Sequence, residues 1–194
     1  MNKIEAKQVL FDVIDTLEKY QIDYFLFGGT LLGAIREKDF IENDNDIDIG
    51  ILQPFWENNI LFQQITWNLL SKDIKICNLA ATHVMNLNKN GIGVDLCYFK
   101  KENNYHVTEG CGWKIKIPSH YLKKLESITF LGKKCYIPNN IENFLTEFYT
   151  DTWKNKISHN DTKFGLLEWY GEKEKIITFT TFLYIYKDII NKEN

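Results

Sequence analysis

The segment from Tyr24 to Ile51 constrains this chain more than any other. Four apolar residues, Tyr24-Phe25-Leu26-Phe27, are broken by Gly28-Gly29-Thr30, and Leu31, Leu32 and Ile35 follow at helical spacing. Asn43-Asp44-Asn45-Asp46-Ile47-Asp48-Ile49 then alternates acidic and apolar residues with the period of a strand. Strand, glycine turn, helix and acidic strand in direct succession predict a mixed α and β domain.

The turn admits two readings. Glycines let backbone approach a ligand closely, Thr30 can cap the helix, and the positive end of the helix dipole favours a phosphate there. A tight turn with a helix cap, binding nothing, has the same residues. The acidic strand is more specific. Residues two apart in a strand share a face, so Asp46 and Asp48 point the same way with Ile47 and Ile49 packed behind. Adjacent carboxylates repel, and a divalent cation with hard oxygen ligands, magnesium above all, relieves that repulsion. The alternative is a solvated acidic turn. A calcium loop fits the run less well, because the glycine and glutamate spacing of an EF-hand is missing. Further on, Gly93-Val94-Asp95-Leu96-Cys97-Tyr98-Phe99 holds one acid inside an apolar strand. A buried carboxylate needs a partner, either a core hydrogen bond or the same metal cluster.

The remaining elements follow from period and punctuation. Ile4, Val9, Leu10, Val13, Ile14 and Leu17 mark a first amphipathic helix. Phe55–Leu70 reads as a helix with Leu61, Phe62, Ile65 and Leu69 on one side. Strands are predicted near Ile74–Leu79, His83–Leu87, Gly93–Phe99 and Trp113–Ile117, and a hairpin over Ile128–Ile137 around Gly132. Pro138 is expected to open a helix through Phe148, and a last helix is expected from about Lys173 to Ile190. The expectation is an α+β fold whose mixed central sheet is flanked by helices, with a C-terminal helical portion, in a single domain over 1–194.

Composition limits the function. Apolar residues make up 44% and aromatics 14% of 194 residues, enough for one real core. The net charge of −3 gives no basic surplus for bulk nucleic-acid binding. The opening residues show no secretory h-region, and no stretch reaches the about 20 apolar residues of a membrane span. Cys77, Cys97, Cys111 and Cys135 form no close pair, a pattern that fits reduced thiols better than a disulfide framework or a zinc knuckle. These features predict a cytoplasmic protein.

Together, GGTLLGAIREKDFIENDNDIDIGI and the later lone Asp95 resemble the nucleotidyltransferase superfamily. More narrowly, Gly29 through Ile49 is similar to the signature of the LicD/fukutin-type family, G-T-L-L-G-A-x-R followed by an acidic D-D-D-I-D-I run. A weaker match, Phe130-Leu131-Gly132 to Ile137-Pro138, then Phe144-Leu145 and Tyr149-Thr150-Asp151-Thr152-Trp153, resembles that family's tail. Asn45 stands for the family's middle Asp and Thr150 for its Y-G-D glycine, and Glu37-Lys38-Asp39-Phe40-Ile41-Glu42-Asn43 replaces its usual run after the arginine.

The resemblance implies a nucleotidyltransferase fold and transfer of a phosphate-bearing group, such as phosphocholine or ribitol phosphate, from a CDP-activated donor to a sugar hydroxyl of a cell-surface glycan. It implies that Asp46 and Asp48 hold Mg2+, with Asp95 a third ligand or the base that takes the acceptor proton. Gly28, Gly29 and Thr30 would cradle a donor phosphate, and Arg36 or Lys38 would stabilise charge on the transferring group, although Arg36 reads equally as a surface helix residue. Asp44 is expected to hydrogen-bond a loop. Trp113, Trp153 and Trp169 could stack on a base or sugar but read first as core; His83, in a predicted strand, reads as structural, and His106, His120 and His159 carry no local motif. The same carboxylates would serve a nucleotidyltransferase moving a nucleoside monophosphate from an NTP onto a small molecule, and a binding protein that had lost catalysis would keep the fold.

Overall fold

The computed structural model describes residues 1–42, 44–80, 83–110, 113–156, 166–169 and 176–177. Helix α1 (Lys3–Lys19) is capped by Asn2, whose side chain accepts from the amides of Ile4 and Glu5. Its Val9, Leu10, Val13, Ile14 and Leu17 are buried as the period predicts, but Ile4 is 83% exposed. Ile4 sits in the first turn of the helix, where its side chain faces solvent.

The central sheet takes strands β1 (Tyr24–Leu26), β2 (Asp46–Ile51), β3 (Lys75–Ala80), β4 (Val84–Lys89), β5 (Ile92–Tyr98) and β12 (Ile176–Ile177), in the order β1-β2-β5-β4-β3-β12. Only β2 and β5 run parallel, so the sheet is mixed. β4 turns into β5 through Asn90-Gly91, both at positive φ, as a two-residue mirror-image turn requires. One face of the sheet carries Ile47, Ile49, Val94, Leu96, Met85 and Leu87, all essentially inaccessible. Helix α1 packs with α3 (Asn59–Leu70), α1 against β5 and α3 against β3, to cover that face.

Helix α2 (Gly28–Arg36) joins β1 to β2. A second, antiparallel sheet holds β6 (Lys100–Glu102), β7 (Tyr105–Gly110), β8 (Trp113–Pro118) and β11 (Leu167–Trp169), ordered β11-β8-β7-β6. The hairpin β9 (Glu126–Phe130) and β10 (Lys133–Ile137) closes on Leu131-Gly132, again both at positive φ. Helix α4 (Ile141–Tyr149) and a 3-10 turn over Asp151–Lys154 form the C-terminal helical segment. The result is the expected α+β architecture.

Several local expectations change. Phe55–Leu70 is not one helix: a 3-10 turn (Phe55–Glu57) ends at Asn58, whose side chain accepts from the Leu61 amide and caps α3. Helix α4 begins at Ile141, not at Pro138, because Asn140 in left-handed conformation resets the chain. The strands β6 and β7 follow no apolar alternation in β6, whose residues are all exposed, so their pairing is not written in the local pattern. The predicted last helix is contradicted at Ile176 and Ile177, which pair antiparallel with Ala80 and Leu79. A sheet edge satisfies their backbone and overrides their helical period. The rest of that helix lies outside the described residues, as do Cys111 and His159.

Candidate active site

β2 and β5 bring the predicted acids together. In their parallel register Asp46 faces Gly93 and Asp48 faces Asp95, so the same face of the sheet carries all three carboxylates. One oxygen from each of Asp46, Asp48 and Asp95 lies within 4.8 Å of the others. The alternation that buries Ile47 and Ile49 leaves the acids partly open. For Asp95, both partners weighed from the sequence are present: it belongs to the cluster, and the Asn86 side-chain amide donates to its Oδ1 at 2.6 Å.

Charge crowding dominates the site. Burial pushes the Asp48 carboxyl well above its ordinary value, and the charges of Asp46, Asp95 and Asp44 push it further; the hydrogen bond from Gly29 N–H opposes them. Burial also raises Asp95, against the pull of Asn86 and with the help of Asp46. The Cys97 thiol, two residues along the same face, is raised by its own burial and then by the three carboxylates. A cation among the three carboxylates would offset this mutual repulsion. Three oxygen ligands at one point fit magnesium, a hard ion that keeps some positions for water or phosphate oxygens.

The glycine turn serves these acids directly. The helix starts at Gly28 rather than after Thr30, with Phe27 at the cap position and no side-chain cap. Thr30 therefore does not cap the helix. It is buried, and its hydroxyl accepts from Asp48 N–H at 2.9 Å. Gly29 N–H donates to Asp48 Oδ2 at 2.8 Å, which places the positive end of α2 on that carboxylate. A side chain at Gly28 would run into the Asp48 carboxylate, and its φ of +49° is strained for other residues. A Cβ at Gly29 would sit 2.5 Å from Asp44 Oδ2. Asp44 is thus no remote loop acid: its carboxylate lies at the rim of the cluster, and its Oδ1 also accepts from Asn45 N–H.

Arg36 and Lys38 stand elsewhere. Arg36 Nη1 donates to the carbonyls of Trp153 and Asn155 at 3.2 and 3.1 Å, and Nη2 pairs with Glu37. The arginine of the first motif therefore clamps the tail motif, 117 residues away, and is neither a surface residue nor turned to the carboxylates. Lys38 is exposed, past the end of a nine-residue helix. At ~1.5 Å per residue the helix places it ~15 Å along the axis from Gly28.

Sequence reasoning missed two residues of this region. Asn86 carries only the alternation of β4 as a signal, and nothing local says that its face is the acidic one. Tyr149, in the tail motif, is fully buried beside the cluster: burial raises its phenol well above the ordinary value, and Asp48 and Asp44 add to the rise. Trp153 is core, its indole N–H bonded to Thr146. Trp113 lies over Gly110, and Trp169 pairs with Trp113 through the strand backbone. His83 stands 3.7 Å from Glu109, His106 is held below its usual pKa by burial and Lys101, and His120 lies tilted against the Tyr121 ring, centroids 4.1 Å apart.

The family model for the LicD/FKTN/FKRP nucleotidyltransferase domain matches residues 21–140. The chain belongs to this family. Membership classes it with the transferases of the nucleotidyltransferase clan. Ribitol 5-phosphate transferase FKRP of Mus musculus is 29% identical over 143 residues, covering 69% of this chain and 28% of that protein. Lipopolysaccharide cholinephosphotransferase LicD of Haemophilus influenzae is 47% identical over 49 residues, 23% of this chain and 18% of the relative. The chain thus spans less than a third of the length of these curated relatives. The solution structure of the antibiotic-resistance factor ANT(2'')-Ia overlays with a TM-score of 0.49 at 8% identity, over 71% of this chain and 66% of that one. Among the described residues no helix is long and apolar enough to cross a membrane.

Proposed function

We propose that the chain is a magnesium-dependent phosphotransferase of the LicD type. It moves a phosphate-bearing group, such as phosphocholine or a polyol phosphate, from a CDP-activated donor to a sugar hydroxyl of a cell-surface glycan. The observation that carries this reading is the convergence of Asp46, Asp48 and Asp95 on one point of a sheet face beside the N-terminus of α2. The mouse relative, a ribitol 5-phosphate transferase, and the Haemophilus relative, a lipopolysaccharide cholinephosphotransferase, support the class of transferred group and a glycan acceptor; the CDP donor rests on the family resemblance.

Asp46 and Asp48, with Asp95, are the residues that would hold Mg2+. When bound, the ion screens phosphate charge and draws electron density from the phosphorus. The chain does the rest. Gly29 N–H and Thr30 Oγ1 fix Asp48 from both its side chain and its backbone. In our assignment Gly28, Gly29 and Thr30 therefore act on donor phosphate through Asp48 and through the positive end of α2. Asn86 aims Asp95, which in our assignment either completes the ligand set or, left off it, takes the acceptor proton. The acceptor oxygen forms a bond to phosphorus as the bond to the CMP oxygen breaks. With Asp95 as the base the acceptor proton goes to it, and CMP leaves.

A donor screen tests this. Protein, magnesium and a panel of CDP-alcohols and NTPs are incubated with and without glycan extract, and products are read by mass spectrometry. Magnesium-dependent CMP release that vanishes in Asp48→Ala is expected. Pyrophosphate release from an NTP, with a nucleotide left on the acceptor, would replace this reading by nucleotidyl transfer.

A further inference from the structure

An open cleft lies at the far end of β1 and β2 from the carboxylates. The two strands pair from Tyr24 opposite Ile51 to Leu26 opposite Ile49, so Tyr24 marks one end and Asp48, whose carbonyl accepts from Phe27 N–H, the other. Leu52, at the Tyr24 end, follows Asp48 by four residues, ~13 Å at ~3.3 Å per residue. The cleft has a volume of ≈ 560 Å³, within the ~300–1,000 Å³ of small-molecule sites. It opens where the last turn of α1 and the start of β1 meet β10 and the chain over 122–125.

Its lining is divided by polarity. Ile22, Tyr24 and Leu122 are buried and make an apolar floor, with Leu52, Leu125 and Tyr136 half-buried around it. Glu18, Asp23 and Lys123 bring the charge, two carboxylates to one lysine. Both carboxylates are held in place by neighbours that leave their charge intact. Glu18 Oε1 accepts from the Tyr24 hydroxyl at 3.0 Å, and the Glu18 side chain stays 42% exposed. Asp23 N–H donates to Gln53 Oε1, and Gln53 Nε2 donates to Asp23 Oδ2, both at 2.7 Å. Lys133 stands 4.0 Å from Glu18 Oε2, but it is already bonded to Asp15.

We infer that this cleft binds an organic ammonium ion with an apolar body, at a site separate from the transfer chemistry. An ammonium group donates in several directions and suits two fixed acceptors. Its attraction to them is stronger beside apolar walls than in open water. The floor and the half-buried rings and leucines take the apolar body, whose removal from water adds to binding. An anionic ligand of the same shape would meet two like charges at the rim.

NMR titration of the whole chain with phenethylamine, phenethyl alcohol and 3-phenylpropionate tests this, since the three probes share a body and differ in charge. Saturating magnesium is present to compete for Asp46, Asp48 and Asp95. The amine is expected to bind about tenfold more tightly than the alcohol, as a charge-assisted contact allows, with shifts centred on Tyr24 and Tyr136. The carboxylate should not bind. Glu18→Gln and Asp23→Asn keep an acceptor oxygen for Tyr24 and Gln53, so each should fold normally, lower the amine's affinity and leave the alcohol's unchanged. Equal binding of all three probes, preference for the carboxylate, shifts centred on the acidic cluster, no binding of the amine, or an amine affinity unchanged in both variants would overturn the inference.

Discussion

Along β2 and β5, Ile47, Ile49, Val94 and Leu96 are inaccessible, whereas Asp46, Asp48 and Asp95, one residue away, stay partly open and crowd their charges together. The same backbone thus supports two faces with opposite energetics. The apolar face, under α1 and α3, gains free energy from every side chain it hides. The acidic face loses it, since burial and mutual repulsion both oppose ionisation of Asp48. A fold can carry such a face only because the other one anchors the strands. This is the relation between scaffold and site that the predictions below probe.

The largest effect is expected on the acidic face. Asp48→Asn should reduce transfer by at least about a thousandfold, roughly 4 kcal/mol in the barrier, without lowering the melting temperature. Initial rates and thermal melts of the same preparation check it, and a variant that unfolds while a stable one keeps its rate would erase the contrast between faces. On the apolar face Leu96→Ala should cost about 2–5 kcal/mol of stability, read from urea denaturation, with the carboxylate geometry retained in whatever fraction stays folded.

Next comes the clamp. Arg36→Ala leaves the carbonyls of Trp153 and Asn155 without their donor and should cost about 1–3 kcal/mol. Arg36→Lys should recover little of it, because an ammonium cannot fork to two carbonyls and Glu37 together. Full recovery in the lysine variant, by denaturation, would reduce the clamp to simple charge.

The acidic face also predicts a pH dependence. Asp48 and Asp95 are held above their ordinary value of 3.8 in the folded chain, so the folded state keeps protons that the unfolded chain releases. Their contribution to stability therefore falls as pH rises from 3.8 through the raised values, and is level above them. The difference in melting temperature between wild type and Asp48→Asn, without metal, should turn against the wild type across that window, and magnesium should flatten it. A difference that favours the wild type as pH rises would contradict the crowding. The smallest effect is expected far from both faces: Trp67, 63% exposed on α3, should tolerate Trp67→Gln within about 0.5 kcal/mol.

Much of the site was legible because it is local. The alternation of Asp46 to Ile49 assigns faces within a few residues, and Gly28-Gly29 marks a close approach whatever lies opposite. The identity of that neighbour was not legible. Thr30 looked like a cap and proved to hold Asp48; Arg36 looked like a ligand or a surface residue and proved to bind a turn 117 residues on. The register shift at Cys77, between Ile76 and Asn78 of β3, left no mark, since a single residue slipped out of register changes no period.

The sequence by itself determined which residues of each strand share a face, where the first helix and the Leu131-Gly132 hairpin fall, and that Asp46 and Asp48 point to the same side of their strand. These follow from side-chain direction and turn conformation, which neighbours along the chain decide. Only the tertiary structure decided that β5 lies parallel to β2 with Asp95 opposite Asp48, that Asn86 lies opposite Asp95, and that Ile176 and Ile177 join a sheet edge. Strand order and register depend on closing long loops and on packing between distant segments, and no short-range pattern records which segments will meet.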